Sequence, residues 1–348
     1  MPLELFQYLE WLLIHTWRLP RLPRSIQPLP LRLVVLACWI NGYRPFEVAS
    51  WVSVGVSQWR QLSKNSPARL ASAIHAQKRQ SWPDQCRIAM ELLSDKAALL
   101  ALTPDPWRTP WLLLPSPDQV QNCSPPSWWE PALCESGLVL KPLRGHGGRA
   151  VIRFRFTPAG MEQQALFRRL TADTPTLTLA IPPNPRELLS HWHRICCTEE
   201  PALAAPYIEH SPMMPLADPS AVVRIITAQV TPTAPICVHQ AWLEVPLGAA
   251  AVAFLTLDGL NLPVLGDPLT VQEQQALEHW QALLRADLPP CVAACLEAAV
   301  ALHTLLPPID QVAWDWIPAH PRPLLLEGNG CFDLLVPQLL QTLIHSSA

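Results

Sequence analysis

Apolar positions recur along this chain in two periods. Near the start, Leu5, Leu9, Leu12 and Leu13 have helical spacing, and Trp11 and Trp17 add bulk. Residues 1–90 read as mostly helical, with further helical stretches over Pro67–Gln80 and Gln85–Leu102. The segment RLPRLPRSIQPLPLR reads as a rigid proline-rich connection. Seven prolines in Thr103–Glu130 predict a wrapped loop with one short strand, Trp111–Leu114.

The texture changes near Gly137. GLVLKP reads as a buried strand, RGHGG as a glycine-rich turn, and RAVIRFRF alternates with period two, so a hairpin is predicted. Helices are predicted over Gly160–Leu170 and Pro185–Cys197, and strands over Ala221–Val230 and Ile236–Leu243. Two helices follow, Val271–Ala286 and Cys291–Leu305. Strands Gln311–Ile317 and Leu324–Asn329 come next, then a last helix to about Ile344. Helices alternating with antiparallel hairpins place the chain in the α+β class rather than among doubly wound parallel sheets.

Composition narrows the function classes. The 348 residues are 49% hydrophobic and 15% charged, which excludes disorder driven by charge. The net charge of −3 leaves no electrostatic footprint for nucleic acid. Ten cysteines include no CxxC pair, so zinc spacing is absent and the thiols read as small buried groups of a cytoplasmic protein. The first residues lack the basic start and apolar run of a secretory signal. The apolar run Leu33–Ile40 is far short of the ~20 residues a membrane span needs.

Candidate chemistry sits in two places. In VAWDWIPAHPRPLLLEGNG, a hairpin symmetric about Pro321, with His320 and Pro321 in the turn, puts Asp315 opposite Glu327. Asn329, two residues on, shares that face, while Trp314 and Trp316 point into the core. Facing carboxylates repel, and a hard divalent cation such as Mg²⁺ would neutralise them through oxygen ligands. On this reading, Glu327→Gln should leave the metal-free fold as stable or more so. The alternative is that both carboxylates simply face water. The second place is GLVLKPLRGHGGRAV, where Lys141 ends a strand before Gly145, Gly147 and Gly148. Backbone N–H groups of such a turn can cradle phosphate, with Lys141 adding a point charge. Arg144, His146 and Arg149 make the loop cationic. The lysine precedes the glycines, so this is neither a Walker A loop nor a Rossmann fingerprint.

Four segments in order, LLSDKAALLAL, GLVLKPLRGHGG, AVVRIITA and AWDW…LLLEGNG, resemble the ATP-grasp superfamily. The likeness is strongest to its sugar-transfer-associated, glutamate-ligase-related branch. It covers roughly residues 90–340. The resemblance implies two α+β subdomains that clasp ATP, over 91–202 and 203–348, preceded by a helical region over 1–90. It implies that Lys96 and Lys141 contact nucleotide phosphates and that the loop Arg144, Gly145, His146, Gly147 and Gly148 closes over them. Lys96 and Lys141 are two of only four lysines in the chain. Arg224 would face the transferred phosphoryl group, and Asp315, Glu327 and Asn329 would hold Mg²⁺. Backbone groups of a hinge near Leu203 to Tyr207 would meet adenine, with Glu209 reaching the ribose.

Two departures from the pattern stand out. The hinge reads LAAPYIEH where relatives often carry a glutamine or glutamate, and QAWLEVPLGAAAVAFLTLDG stands where relatives show an aspartate–asparagine and paired glycines on the acceptor side. The activity implied is an ATP-dependent ligase. It would join a small-molecule or saccharide-linked carboxylate to an amine, or another nucleophile, through an acyl phosphate. Two alternatives are a kinase-like phosphotransferase and a nucleotide-binding protein without turnover.

Overall fold

The computed structural model describes residues 84–330, apart from 123, 145–149, 166–180, 197, 209–220, 230–232, 248–250, 258, 260–264, 267–269, 287 and 320–321. The helices expected before residue 84, the expected last helix, and the turns expected over 145–149 and at His320–Pro321 lie outside the described residues. The chain divides into two units, and the larger takes in Trp82–Leu243 and Ala286–Phe332.

One sheet of this larger unit has the strand order β1-β5-β2-β3-β4, all neighbours antiparallel. Its strands are β1 (Leu112–Leu114), β2 (Leu138–Pro142), β3 (Ile152–Thr157), β4 (Gly160–Ala165) and β5 (Ala202–Pro206). Leu138, Leu140, Ile152 and Phe154 alternate onto one face and are fully buried. They share a core with helices α3 (Trp129–Cys134) and α4 (Pro185–Cys196), which contribute Trp129, Leu133, Leu188, Leu189 and Trp192. Val139 and Lys141 therefore stand on the opposite face of β2.

The second sheet of this unit runs β11-β10-β6-β7. β6 is Val222–Ala228, β7 begins at Cys237, β10 is Gln311–Ile317 and β11 is Leu324–Asn329. β6 and β10 are buried along nearly their whole length, which explains their almost unbroken apolar sequences. Helix α6 (Pro290–Thr304) packs on β6 and β10, and α1 (Asp84–Ser94) and α2 (Lys96–Leu102) pack on β11. The smaller unit, among the described residues, spans Glu244–Arg285. It holds β8 (Ala251–Thr256) paired with the short β9 (Leu265–Gly266), and the amphipathic helix α5 (Val271–Ala286) with Leu277, Trp280 and Leu284 buried.

The α+β expectation holds: the first sheet and the β6–β10–β11 part of the second are antiparallel, and helices pack on them. One predicted element is overturned. Residues from Gly160 form β4, not a helix. Met161, Glu162, Gln163 and Ala165 are good helix formers, but a two-residue loop closes the hairpin with Thr157 opposite Gly160. Gly160 has φ of 120°, a conformation that other residues resist. Buried Met161 beside exposed Glu162 restores the period of two, and Glu162 lies opposite Arg155. The stretch read as a hinge contains β5 itself, placed between β1 and β2.

Candidate active site

Asp315 and Glu327 do face each other on β10 and β11. A β-bulge makes this so. Trp316 pairs with Leu325, yet Asp315 pairs with Glu327, so Leu326 is the extra residue. Without the bulge, Glu327 would sit opposite the fully buried Trp314, on the core face. The next residue, Gly328, could be no larger: a Cβ there would lie 2.7 Å from the Trp314 ring and 2.9 Å from Leu93. Close packing of β11 thus explains the glycine between Glu327 and Asn329. Asn329 donates from Nδ2 to Glu327 Oε1 at 3.2 Å, on the face the alternation predicts.

The opposite edge of Asp315 meets Arg224 on β6. The guanidinium grips the carboxylate as a fork, with Nε donating to Oδ1 at 2.6 Å and Nη2 to Oδ2 at 2.7 Å. Arg224, Asp315 and Glu327 form one row across three strands.

Two lysines reach the same row from elsewhere. Lys96 opens α2 directly after Asp95, whose Oδ1 accepts from the backbone N–H groups of Ala97 and Ala98 at 3.0 Å. That cap fixes the helix start and points Lys96 inward. Its Nζ lies 3.8 Å from Glu327 Oε2. Lys141, from the other sheet, donates to the carbonyl of the bulge residue Leu326 at 2.9 Å. Burial lowers the pKa of Lys96, against the raising fields of Glu327, Asp95 and Glu200. Burial, with the like charge of Lys96, brings Lys141 down to about 8 despite Glu327 and Asp315. Burial alone would raise Glu327, but Lys96, Lys141, the Asn329 hydrogen bond and Arg224 together hold it below the usual carboxylate range.

The structure therefore gathers Lys96, Lys141, Arg224, Asp315, Glu327 and Asn329. Arg144 stands at the margin, exposed, 3.8 Å from Asp95. Tyr207 is buried just after β5, under the Arg153 guanidinium at 3.9 Å, with its N–H donating to Gly137 O at 2.8 Å. Gly145, His146, Gly147, Gly148 and Glu209 lie outside the described residues.

The facing carboxylates are neutralised by the protein's own cations, three against two. This bears on the metal reading. The donor set of Asp315, Glu327 and Asn329 is oxygen-rich and suits Mg²⁺, which takes one or two carboxylates and completes its shell with substrate phosphates. A bare dication on the two carboxylates would be opposed by Lys96, Lys141 and Arg224. The residues fit Mg²⁺ when it arrives with a polyanion. Among the described residues no group of three His, Cys, Asp or Glu side chains forms a further metal cluster.

No protein-family model matches the chain, and no curated protein matches it significantly. Solved structures do. N5-carboxyaminoimidazole synthetase from Staphylococcus aureus, complexed with ADP, is 9% identical with a TM-score of 0.38, over 75% of this chain and 50% of that one. D-alanine–D-alanine ligase from Bacillus anthracis, complexed with ATP, is 12% identical with a TM-score of 0.38, over 75% of this chain and 68% of that one. L-amino acid ligase from Bacillus licheniformis is 12% identical with a TM-score of 0.34, over 82% of this chain and 53% of that one. The chain spans about half the length of the first of these. At such scores the likeness assigns neither family nor activity. No helix among the described residues is long and apolar enough to cross a membrane.

Behind the row lies a polar network that the sequence did not announce. Trp314 Nε1 donates to Thr227 Oγ1 at 2.7 Å, and Thr227 Oγ1 lies 2.7 Å from His303 Nδ1. His303 Nε2 lies 3.0 Å from Ile309 O. A carbonyl only accepts, so Nε2 carries the proton and Nδ1 accepts from the threonine hydroxyl. The network ties α6 to the β6–β10 register on which the Arg224–Asp315 pairing depends. Thr227→Val should orphan the indole N–H and the imidazole, lowering unfolding free energy by about 1–3 kcal/mol. Urea denaturation measures it, and an unchanged midpoint would show the network to be dispensable.

Proposed function

We propose that this chain is an ATP-dependent ligase of the ATP-grasp type, joining a carboxylate to an amine or other nucleophile. One observation carries the reading: three cations from three separate elements converge on a facing pair of carboxylates and outnumber them. Such a cluster is built for a polyanion that brings its own divalent cation. In this reading Lys96 and Lys141 hold nucleotide phosphates, Arg224 meets the charge of the transferred phosphoryl group, and Asp315, Glu327 and Asn329 hold Mg²⁺. When bound, Mg²⁺ supplies charge neutralisation between the phosphates. The loop of Arg144, Gly145, His146, Gly147 and Gly148 is assigned to covering them, and Tyr207 and Glu209 to the nucleoside end.

A substrate carboxylate oxygen attacks the γ-phosphorus, ADP leaves, and the amine displaces phosphate from the acyl phosphate. The residues position and stabilise charge; none is required as a covalent nucleophile. The substrates are assigned as a small-molecule or saccharide-linked carboxylate and an amine acceptor, in a cytoplasmic setting. A second reading, nucleotide binding without turnover, is favoured by the fork that Arg224 makes with both Asp315 oxygens.

Titration calorimetry with a non-hydrolysable ATP analogue and Mg²⁺ tests the first reading. Saturable binding is expected, and no heat with or without Mg²⁺ would remove it. ADP release over a panel of carboxylates and amines separates ligase from inert binder. A pH series adds a signature. Lys141 must be protonated to hold phosphate, and its pKa is near 8. Affinity should fall above that pH, approaching roughly tenfold per unit, with proton uptake on binding. Flat affinity from pH 7 to 9.5 would take Lys141 out of the phosphate contact.

A further inference from the structure

We propose that the Arg224–Asp315 fork is a latch that withholds Asp315 from a divalent cation until nucleotide arrives, and whose opening frees Arg224 for phosphate. This rests on reading the cluster as an ATP site. The fork spans neighbouring strands with both contacts at 2.6–2.7 Å, and the Asp315 side chain is only 8% exposed. Opening it with nothing in exchange would take the guanidinium from a buried carboxylate, which is strongly unfavourable.

A dication on Asp315 would also stand within a few ångströms of the guanidinium that grips the same oxygens. Lys96 and Lys141 already oppose any added positive charge around Glu327. Neither cation loading nor fork opening is therefore favourable alone. Nucleotide changes both together. Phosphate oxygens match a guanidinium as well as a carboxylate does, so Arg224 can exchange one anion for another. Asp315 exchanges Arg224 for the divalent cation. Every charge keeps a partner, and Arg224 is delivered to phosphate only when the cation is seated. Cation binding and the arming of Arg224 become a single event triggered by the polyanion.

Mn²⁺ serves as the probe, counted by the paramagnetic resonance of the free ion, on the whole chain without nucleotide. Arg224→Lys keeps the charge and loses the planar fork. If the latch is closed at least nine-tenths of the time, this variant should bind Mn²⁺ at least about tenfold more tightly than wild type. Lys96→Gln removes a positive charge without touching the fork and should raise affinity less. Mn²⁺ binding to Arg224→Lys no tighter than to wild type overturns the latch. So does a rise in Lys96→Gln equal to that in Arg224→Lys, since total charge would then suffice. Arg224→Gln gives an independent readout in thermal unfolding. There Mn²⁺ should raise the midpoint by more than in wild type, because the cation replaces the lost guanidinium, and equal shifts count against the latch. A parallel arm with the non-hydrolysable ATP analogue keeps the two ideas apart. Failure of wild type to bind the analogue defeats the ATP-site reading, whereas the latch is judged on the nucleotide-free arm.

Discussion

Arg224→Ala is expected to lower kcat by on the order of 10²–10³ while changing nucleotide affinity far less. The expectation follows from where Arg224 stands. Without nucleotide its guanidinium is committed to Asp315, so exchanging that carboxylate for phosphate adds little net ground-state affinity. On the proposed reading its charge would be used when phosphoryl transfer spreads negative charge over the equatorial oxygens. Lys141→Ala should show the converse, a weaker nucleotide affinity with a smaller change in kcat. Its ammonium is anchored on the Leu326 carbonyl, and on the proposed reading it would hold phosphate in ground and transition states alike. The alanine at 224 also removes the fork from Asp315, and breaking a buried pair costs about 3–5 kcal/mol. Assays must therefore run well below the unfolding midpoint of the variant, with Arg224→Lys as a charged comparator. Steady-state ADP release with an active carboxylate–amine pair, alongside calorimetric nucleotide binding, supplies both numbers. A kcat within a few-fold of wild type would return Arg224 to a structural role on β6.

The hairpin that carries Asp315 and Glu327 was legible because its strands are buried and its turn is proline-bounded. Symmetry about Pro321 yields the observed pair. It does so only because a bulge at Leu326 compensates for a tighter register near the turn, and no local pattern in LLLEGNG announces that bulge. The helices Val271–Ala286 and Pro290–Thr304 were legible from length and apolar content. β4 was not, because pairing with β3 overrides the helical propensity of its residues. The grip of Arg224 on Asp315 joins residues 91 apart in sequence, through a strand pairing that periodicity cannot reveal. For the same reason the sequence pointed to a metal as the neutraliser of facing carboxylates. It could not show that three cations of the chain already surround them. Asp95 was readable in principle, since an aspartate directly before KAALLAL is an N-cap signal.

That surrounding charge reverses the expected sign for Glu327→Gln. Repulsion between the carboxylates predicts a metal-free variant at least as stable as wild type. In the structure Asp315 is already paired with Arg224, so little repulsion remains to relieve. Glu327 instead serves as counterion to Lys96 and Lys141, and both lysines lose the field that keeps them protonated when it is neutralised. The variant should therefore unfold more easily without metal. The Glu327 side chain is 28% exposed and its distance to Lys96 Nζ is 3.8 Å, so solvent screens part of the interaction. A loss of about 1–3 kcal/mol is expected, less than for a fully buried pair. Its pH dependence follows from the shifts. Glu327 has a depressed folded pKa, so its contribution is present above the unfolded carboxylate range and fades as pH falls through the folded value. Lys141 discharges above about 8, which removes one of the cations that Glu327 stabilises. The difference between wild type and variant should thus be greatest between roughly pH 5 and 8 and shrink on both sides. Turnover should be abolished throughout, because an amide cannot replace the carboxylate beside bound cation and phosphate. Denaturant midpoints of the metal-free proteins across pH 3 to 10 measure the stability term. A variant as stable as wild type near neutral pH would show that the lysines do not depend on Glu327, and their convergence on the carboxylates would no longer support a polyanion site.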